Sequence, residues 1–304
     1  YYLILTTPRR IYENLAIACL IGSLLGLGAL ASNSELVAIR AAGVSVGRIV
    51  RTVIQAGMLL VILTIIVGEF AMPPMERMAW KYKAVALSKE ISAVGTGFWA
   101  KDQNQFIQVD RALSNDVLMK TTMIEVNDNN QLSRITLAET ANHDGKSWRM
   151  KGVTSTRFEK NGVNIDKNSS LEWSSELKPD MFEIVRTNPK MLSIADLFSY
   201  IKYLEENMLQ SGQYRLSFWA KLISPFSTLV MILLAAPFAM GPQRGGGAGQ
   251  RIFFGILGGI AFFMLNKIFG NIALVYKVSP LVCAAAPTII FMGIGLYGLK
   301  RLYR

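Results

Sequence analysis

The sequence predicts an α-helical membrane protein interrupted by one all-β domain. Three observations predict it: five apolar stretches of membrane-spanning length, a polar middle region between the second and third of them, and strand-like alternation inside that region. The chain is 51% hydrophobic and only 17% charged, with positive mean hydropathy, too apolar for an ordinary soluble domain. That average conceals two parts. Residues 11–72 and 214–299 are almost free of charge outside short loops, whereas residues 73–190 hold most of the Asp, Glu, Asn and Lys.

A helix needs about 20 residues to cross about 30 Å of hydrocarbon. The spans run from Ile11 to Ala31, Ile49 to Met72, Leu216 to Met240, Ile252 to Gly270 and Leu281 to Leu299. Gly22 and Gly26 in the first have the GxxxG spacing that permits close helix packing, against a competing reading of ordinary glycine use in a membrane helix. Between the first two spans, Ser34 or Asn33 caps a short helix with Glu35 in its first turn, Arg40 in its last and Gly43 as its end. Leu36, Ile39 and Gly43 share one face, an apolar patch for a partner protein to fill.

Lys and Arg in short loops stay in the cytoplasm. Arg40, Arg48 and Arg51 flank one connection, Arg244 and Arg251 another, and Lys300, Arg301 and Arg304 end the chain. The connection from Asn271 to Pro280 has only Lys277, and the start has Arg9 and Arg10. This places the basic connections and the C-terminus in the cytoplasm, and Tyr1 and the inserted domain on the exported side. A further span before Tyr1 is therefore expected. The net charge of +11 reads as cytoplasmic anchoring and contact with anionic lipid, not nucleic-acid binding.

After the second span come Arg77, Lys81 and Lys83, with Trp80 and Tyr82 among them. One reading is interfacial anchoring with snorkelling lysines; the other is a basic cluster that pairs with phosphates of an outer-leaflet lipid. Lys267 is a second candidate, because an intramembrane charge is costly and commonly functional.

From Gly97 to Trp173 the pattern is that of strands: Gln105–Val109, Met123–Val126, Ile135–Ala138 and Trp148–Lys151. Asn127–Asn130, His143–Lys146 and Lys160-Asn161-Gly162 are turn clusters, the last carrying the Asn-Gly hairpin signal. Such spacing without an intervening helix indicates a sandwich or a jelly roll, between which pattern alone does not choose. Asp102, Asp110, Glu125 and Glu139 show no acid and base pairing, and no GxSxG turn occurs, so no catalytic residue is expected. His143 has no second His or Cys nearby to share a metal. Cys19 and Cys283 fall inside spans, where they act as small hydrophobic residues.

Leu192 to Met208 reads as an amphipathic helix with Ile194, Leu197, Phe198, Ile201 and Leu204 on one side, returning the chain to the membrane. Gly241 to Gly249 is glycine-rich but lacks both a preceding strand and a following Gly-Lys-Ser/Thr, which makes it a linker and leaves any ATP to a separate subunit.

Three runs carry a resemblance: Gly26-Leu27-Gly28-Ala29-Leu30-Ala31-Ser32-Asn33-Ser34-Glu35-Leu36 followed by Ala41-Ala42-Gly43; Gly97-Phe98-Trp99-Ala100-Lys101-Asp102; and Lys267-Ile268-Phe269-Gly270 with Leu274-Val275-Tyr276. They closely resemble the LptF/LptG family of lipopolysaccharide export permeases, its LptG branch more than its LptF branch, over essentially the whole chain. The resemblance implies a six-helix permease of a Gram-negative inner membrane whose first helix precedes Tyr1. It divides the chain into membrane helices with a coupling helix (1–72, coupling helix 33–44), a periplasmic β-jellyroll with its leading segment (73–191), and a connecting helix with three membrane helices (192–304).

The implied partners are LptF, a dimer of the ATPase LptB, LptC, and lipopolysaccharide held by its lipid A phosphates. ATP and Mg belong to LptB, and no cofactor is implied for this chain. Glu35, Leu36, Ile39 and Arg40 match the coupling helix that enters a groove on LptB. Lys83 matches a basic family position at the lipid-binding rim, with Lys81, Arg77 and Lys267 as further lipid candidates; Trp80 replaces a basic residue of some relatives, for which Lys81 can compensate. The competing class is a membrane-anchored scaffold or adhesion protein, which has no use for a capped apolar helix in the cytoplasm.

Overall fold

Every apolar stretch folds as a helix longer than its apolar part, because backbone hydrogen bonding continues past the point where side chains turn polar. The computed structural model describes residues 1–88, 97–114, 116–127, 131–144, 147–159, 162–173, 188–240 and 248–302. In chain order the helices are α1 (Tyr2–Ser32), α2 (Glu35–Ala41), α3 (Val46–Ile66), α4 (Met72–Ser88), α5 (Ile194–Glu206), α6 (Gly212–Met240), α7 (Ala248–Val275) and α8 (Pro280–Leu302). Among the described residues, five segments are long and apolar enough to cross a membrane: α1, the run Val46–Ala79, α6, Phe253–Val275 in α7, and α8. The chain is a multi-pass membrane protein with an inserted β domain.

Between α3 and α4 the helix widens into a π-helical stretch, Val67–Ala71. Pro73 and Pro74 occupy the first turn of α4, and lacking N–H groups they deprive the carbonyls of Glu69 and Phe70 of their usual donors. The ladder loosens there, and Glu69 is carried on the loosened turn.

The chain divides into two compact units, residues 1–79, 189–201 and 210–304 in one and residues 80–188 and 202–209 in the other. In the first, α6 is central: half of its most apolar window is buried, against 17% for α7. Leu20, Leu24, Val230, Met231, Leu234, Ala235, Phe262 and Phe291 form one core cluster of α1, α6, α7 and α8. A second, nearer α2, joins Leu27, Val46, Val50, Ala236, Ala239 and Leu299. Cys19 and Cys283 are buried among these helices, as their apolar surroundings in sequence require.

Small residues do bring helices together, but not at the glycines expected. A Cβ on Gly22 or Gly26 would meet nothing within 4 Å, whereas one on Gly259 would stand 2.7 Å from Ile17 and one on Gly255 2.9 Å from Leu24. The GxxxG contact of this chain is therefore Gly255 and Gly259 of α7 against α1.

The second unit contains a six-stranded antiparallel meander, β1 (Phe98–Asp102), β2 (Gln105–Ser114), β3 (Val117–Val126), β4 (Leu132–His143), β5 (Trp148–Glu159) and β6 (Gly162–Trp173), each paired with the next. Its buried face holds Ile107, Val109, Leu118, Met123, Ala138, Ala141, Trp148, Met150 and Val153. One transverse row interrupts it. Asp110, Lys120, Glu139 and Gly152 drop out of the ladder at one level in successive strands, with register preserved on both sides. Lys120 (φ +49°) and Gly152 (φ +64°) are left-handed, and β3, β4 and β5 each take three residues instead of two to return to the buried face, from Leu118 to Thr121, Ala138 to Ala141 and Met150 to Val153. Glu159 pairs with Gly162, the flanks of the expected Asn-Gly hairpin, although Lys160 and Asn161 themselves lie outside the described residues. Also outside them are residues 128–130 and 145–146 of the other two turn clusters and the glycine-rich run Gly241 to Gly247. His143 ends β4 with its ring edge-on to Trp148.

The expected amphipathic helix is α5. Of its expected face Leu197 and Leu204 are buried and Ile194 and Ile201 half-buried, while Phe198 is 62% exposed. Tyr200 and Tyr203 add to the buried surface.

Candidate functional site

Two places carry the residues singled out by sequence: the connection between α1 and α3, and the opposite end of the helical unit. At the first, α2 is a two-turn helix entered through Ser34, whose φ of +62° is left-handed and whose side chain caps nothing. Asn33 instead donates from Nδ2 to Oε1 of Glu35 at 3.4 Å. The C-terminal end follows the expectation closely. Gly43, at φ +87°, donates its N–H to the Arg40 carbonyl, and Val44 donates to that of Ile39, the paired bonds of a Schellman end that glycine permits. Ser45 then caps α3 by accepting from the N–H of Arg48.

Exposure separates the four candidate coupling residues. Glu35, Ile39 and Arg40 are exposed, but Leu36 is 5% exposed and packs into its own chain. The outward apolar side chains are therefore Val37 and Ile39, 66% and 37% exposed, which point to different sides of the helix, and Leu36 anchors it from beneath. Beside it, Arg40, Gly43, Val44, Ser45, Val46 and Leu302 line a cleft of about 340 Å³.

At the opposite end the charges form pairs. Arg77 on α4 is bonded to Asp196 in the first turn of α5. Arg9 on α1 lies 3.3 Å from Glu76 and 4.0 Å from Glu13. Glu69 accepts from the backbone N–H of Ile194 at 2.9 Å and lies 3.0 Å from Nζ of Lys221. Lys221 also donates to the Leu192 carbonyl at 2.7 Å, and Ser193 caps α5 through the N–H of Asp196. The backbone of α4 carries Lys81 and Lys83, whose side chains lie outside the described residues. Lys267 is on α7 and exposed, and no hydrogen bond or ion pair joins it to Arg77 among the described residues.

Sequence reasoning missed Glu69 and Lys221, each a charge within an apolar run, and Glu76, which stands beside Arg77 after the second span. The signal that selected Lys267 applied equally to Glu69 and Lys221.

Residues 1–301 match the family model described as lipopolysaccharide export system permease LptF/LptG. The chain belongs to the LptF/LptG family. Among curated relatives, the lipopolysaccharide export system permease protein LptG of Escherichia coli strain K12 is 34% identical over 304 residues, covering 99% of this chain and 84% of that protein. The LptG protein of Haemophilus influenzae is 33% identical over 291 residues, covering 95% of this chain and 81% of that protein. Both are permeases of lipopolysaccharide export by name, so the family's multi-pass helices and inserted β domain are the setting for the two sites. In that setting α2 lies between the first two spans of this chain, and the charge pairs gather where α3, α4, α5 and α6 meet.

Proposed function

We propose that this chain is the LptG-type permease subunit of an ABC transporter that extracts lipopolysaccharide from the outer leaflet of the inner membrane and passes it to a periplasmic bridge. ATP, with Mg, is hydrolysed in a separate LptB dimer; LptF completes the membrane pair, LptC joins on the periplasmic side, and the β unit lies in the periplasm. This chain makes and breaks no bond and needs no cofactor.

The observation that carries the reading is α2: a short helix with a fixed glycine end, held from beneath by Leu36, displaying Glu35, Val37, Ile39 and Arg40 between two membrane spans. A passive anchor has no use for such a feature, whereas an exporter without a nucleotide site must receive force from one. Glu35, Ile39 and Arg40 would meet LptB, with Leu36 transmitting the push to the bundle. At the other end Lys83, Lys81, Arg77 and Lys267 would meet lipid A phosphates, with Arg77 exchanging its bond to Asp196 for one to lipid.

The test is ATPase activity and transfer of crosslinkable lipopolysaccharide to an acceptor, with the complex in proteoliposomes. Glu35→Lys and Arg40→Glu are expected to lower transfer about tenfold or more, since like charges would face each other across the interface. Lys83→Glu is expected to lose lipid crosslinking. Unchanged transfer in all three would refute the residue assignments, and no ATP-dependent transfer by the wild type would count against the permease reading itself.

A further inference from the structure

The charges around Glu69 do more than satisfy one another. Glu69 lies on the π-helical stretch that α3 enters before Pro73 and Pro74, so the chain has loosened its helix at the residue that bears the carboxylate. That carboxylate points at the start of another helix. Both of its oxygens are within 3.2 Å of the Ile194 N–H, the unsatisfied donor end where negative charge is favoured. From α6, Lys221 completes the arrangement by bonding Glu69 and the Leu192 carbonyl together. Its side chain is 6% exposed and that of Glu69 22%. Buried charges of this kind are costly unless every donor and acceptor is met, and here the bonds beyond the pair itself end on the few residues that begin α5.

We propose that Glu69 and Lys221 form a joint that holds the start of α5 against α3 and α6, so that α5 follows the movement of those two helices during transport. Both are positioning residues, and the proposal rests on the permease reading above. Its physical basis is the choice of partners. A pair that served only to tie α3 to α6 would need the two side chains alone. Here the acceptor group faces an N–H of α5 and the donor group faces a C=O just before it, so the order of charge, and not merely its presence, is matched to that helix. Asp196 of the same first turn is bonded to Arg77 on α4, which gives α5 a third attachment. Beyond residue 201 the helix groups with the second unit; α5 is thus a covalent route by which motion held at this joint leaves the helical unit.

Reversing the pair separates the two roles. In Glu69→Lys with Lys221→Glu, opposite charges again face each other between α3 and α6. A lysine at 69, however, presents only donors to the Ile194 N–H, and a carboxylate at 221 presents only acceptors to the Leu192 carbonyl. The reversed pair ties α3 to α6 and leaves α5 unheld.

The experiment uses the complex with LptF, LptB and LptC in proteoliposomes, measuring thermal stability, ATPase rate and lipopolysaccharide transferred per ATP hydrolysed. The single substitution Lys221→Met is expected to lower both stability and transfer. The reversed pair is expected to recover the ATPase rate and part of the stability, the Ile194 N–H and the Leu192 carbonyl staying unmet, while transfer per ATP remains lowered by about fivefold or more. Recovery of wild-type transfer by the reversed pair would overturn the joint and leave a simple strut.

Glu69→Gln provides a second measurement on a chain that keeps an acceptor for Ile194. Faster amide exchange confined to the first turn of α5 is expected, and unchanged exchange there would overturn the proposal. If the wild type transfers no lipid, the permease reading fails and takes the joint with it; if the wild type transfers and the reversed pair matches it, the joint alone fails.

Discussion

Nε of Arg9 lies 3.3 Å from Oε1 of Glu76, whose side chain is 2% exposed. The two atoms are close enough for an ion pair but make no well-directed hydrogen bond with each other, so the carboxylate is stabilised mainly by charge. Taking away one partner of such a pair leaves the other buried and unpaired, at a cost of about 3 kcal/mol, whereas replacing both by apolar residues of similar volume is nearly neutral. Arg9→Met should therefore lower the thermal midpoint of the purified chain in detergent, and Arg9→Met with Glu76→Met should restore most of the loss. A double variant less stable than the single would show that Arg9 has another obligatory acceptor.

The two sides of α2 should respond differently. Leu36 is buried and Val37 is not, so Leu36→Ala is expected to cost about 2–3 kcal/mol in unfolding, while Val37→Asp stays within about 0.5 kcal/mol of wild type. Binding of the ATPase should show the reverse separation: Val37→Asp is expected to weaken it in a pull-down without loss of fold, while Leu36→Ala changes it less. Equal stability losses in the two variants would mean that α2 buries the other face.

Gly259 and Gly22 provide a similar contrast in α7 and α1. A Cβ at Gly259 collides with Ile17 at 2.7 Å, whereas one at Gly22 meets nothing within 4 Å. Gly259→Val should separate α1 from α7 and cost about 1–3 kcal/mol, the usual penalty for overpacking. Gly22→Val should leave the stability of the isolated chain unchanged. Thermal unfolding of both variants in the same detergent decides it.

What sequence made legible follows from what periodicity encodes. Twenty apolar residues announce a span regardless of neighbours, so all five spans were found, but the first two were placed short because Arg9 and Glu76 read as breaks in apolar character until their partners are known. In the β unit, the expected strands ended at Val109, Ala138 and Lys151 and began at Met123, on either side of the row of Asp110, Lys120, Glu139 and Gly152. That row shifts the buried phase, from Ala138 to Ala141 in β4 and from Met150 to Val153 in β5, and alternation of period two cannot be followed across it. β6 was missed for another reason: it is exposed along nearly its whole length and is held to β5 by backbone pairing, which leaves little trace in side-chain pattern. At the candidate sites, Gly43 was legible because few residues other than glycine end a helix at positive φ, but the burial of Leu36 was not, because it depends on what packs beneath α2, and the left-handed step at Ser34 is one that serine does not announce.

Tyr203 provides the pH test. Its hydroxyl donates to the Lys101 carbonyl at 2.7 Å, and burial, reinforced by the charge of Asp102, pushes its pKa up to about 12. In the unfolded chain a tyrosine titrates near about 10. A group whose pKa is raised on folding contributes stability that is whole below the unfolded value and is lost as pH rises through the folded one. Tyr203→Phe should therefore cost about 1 kcal/mol at neutral pH through the lost hydrogen bond, and the gap between variant and wild type should close as pH rises past about 10 and reverse by about 12, because ionisation of so raised a hydroxyl removes more than about 2 kcal/mol from the wild type alone. Other tyrosines and lysines titrate in the same window, but they are common to both chains and cancel in the difference. Denaturant unfolding of the two chains across that window is the measurement, and a gap that stays constant with pH would show that the Tyr203 hydroxyl ionises as readily in the folded protein as in the unfolded chain.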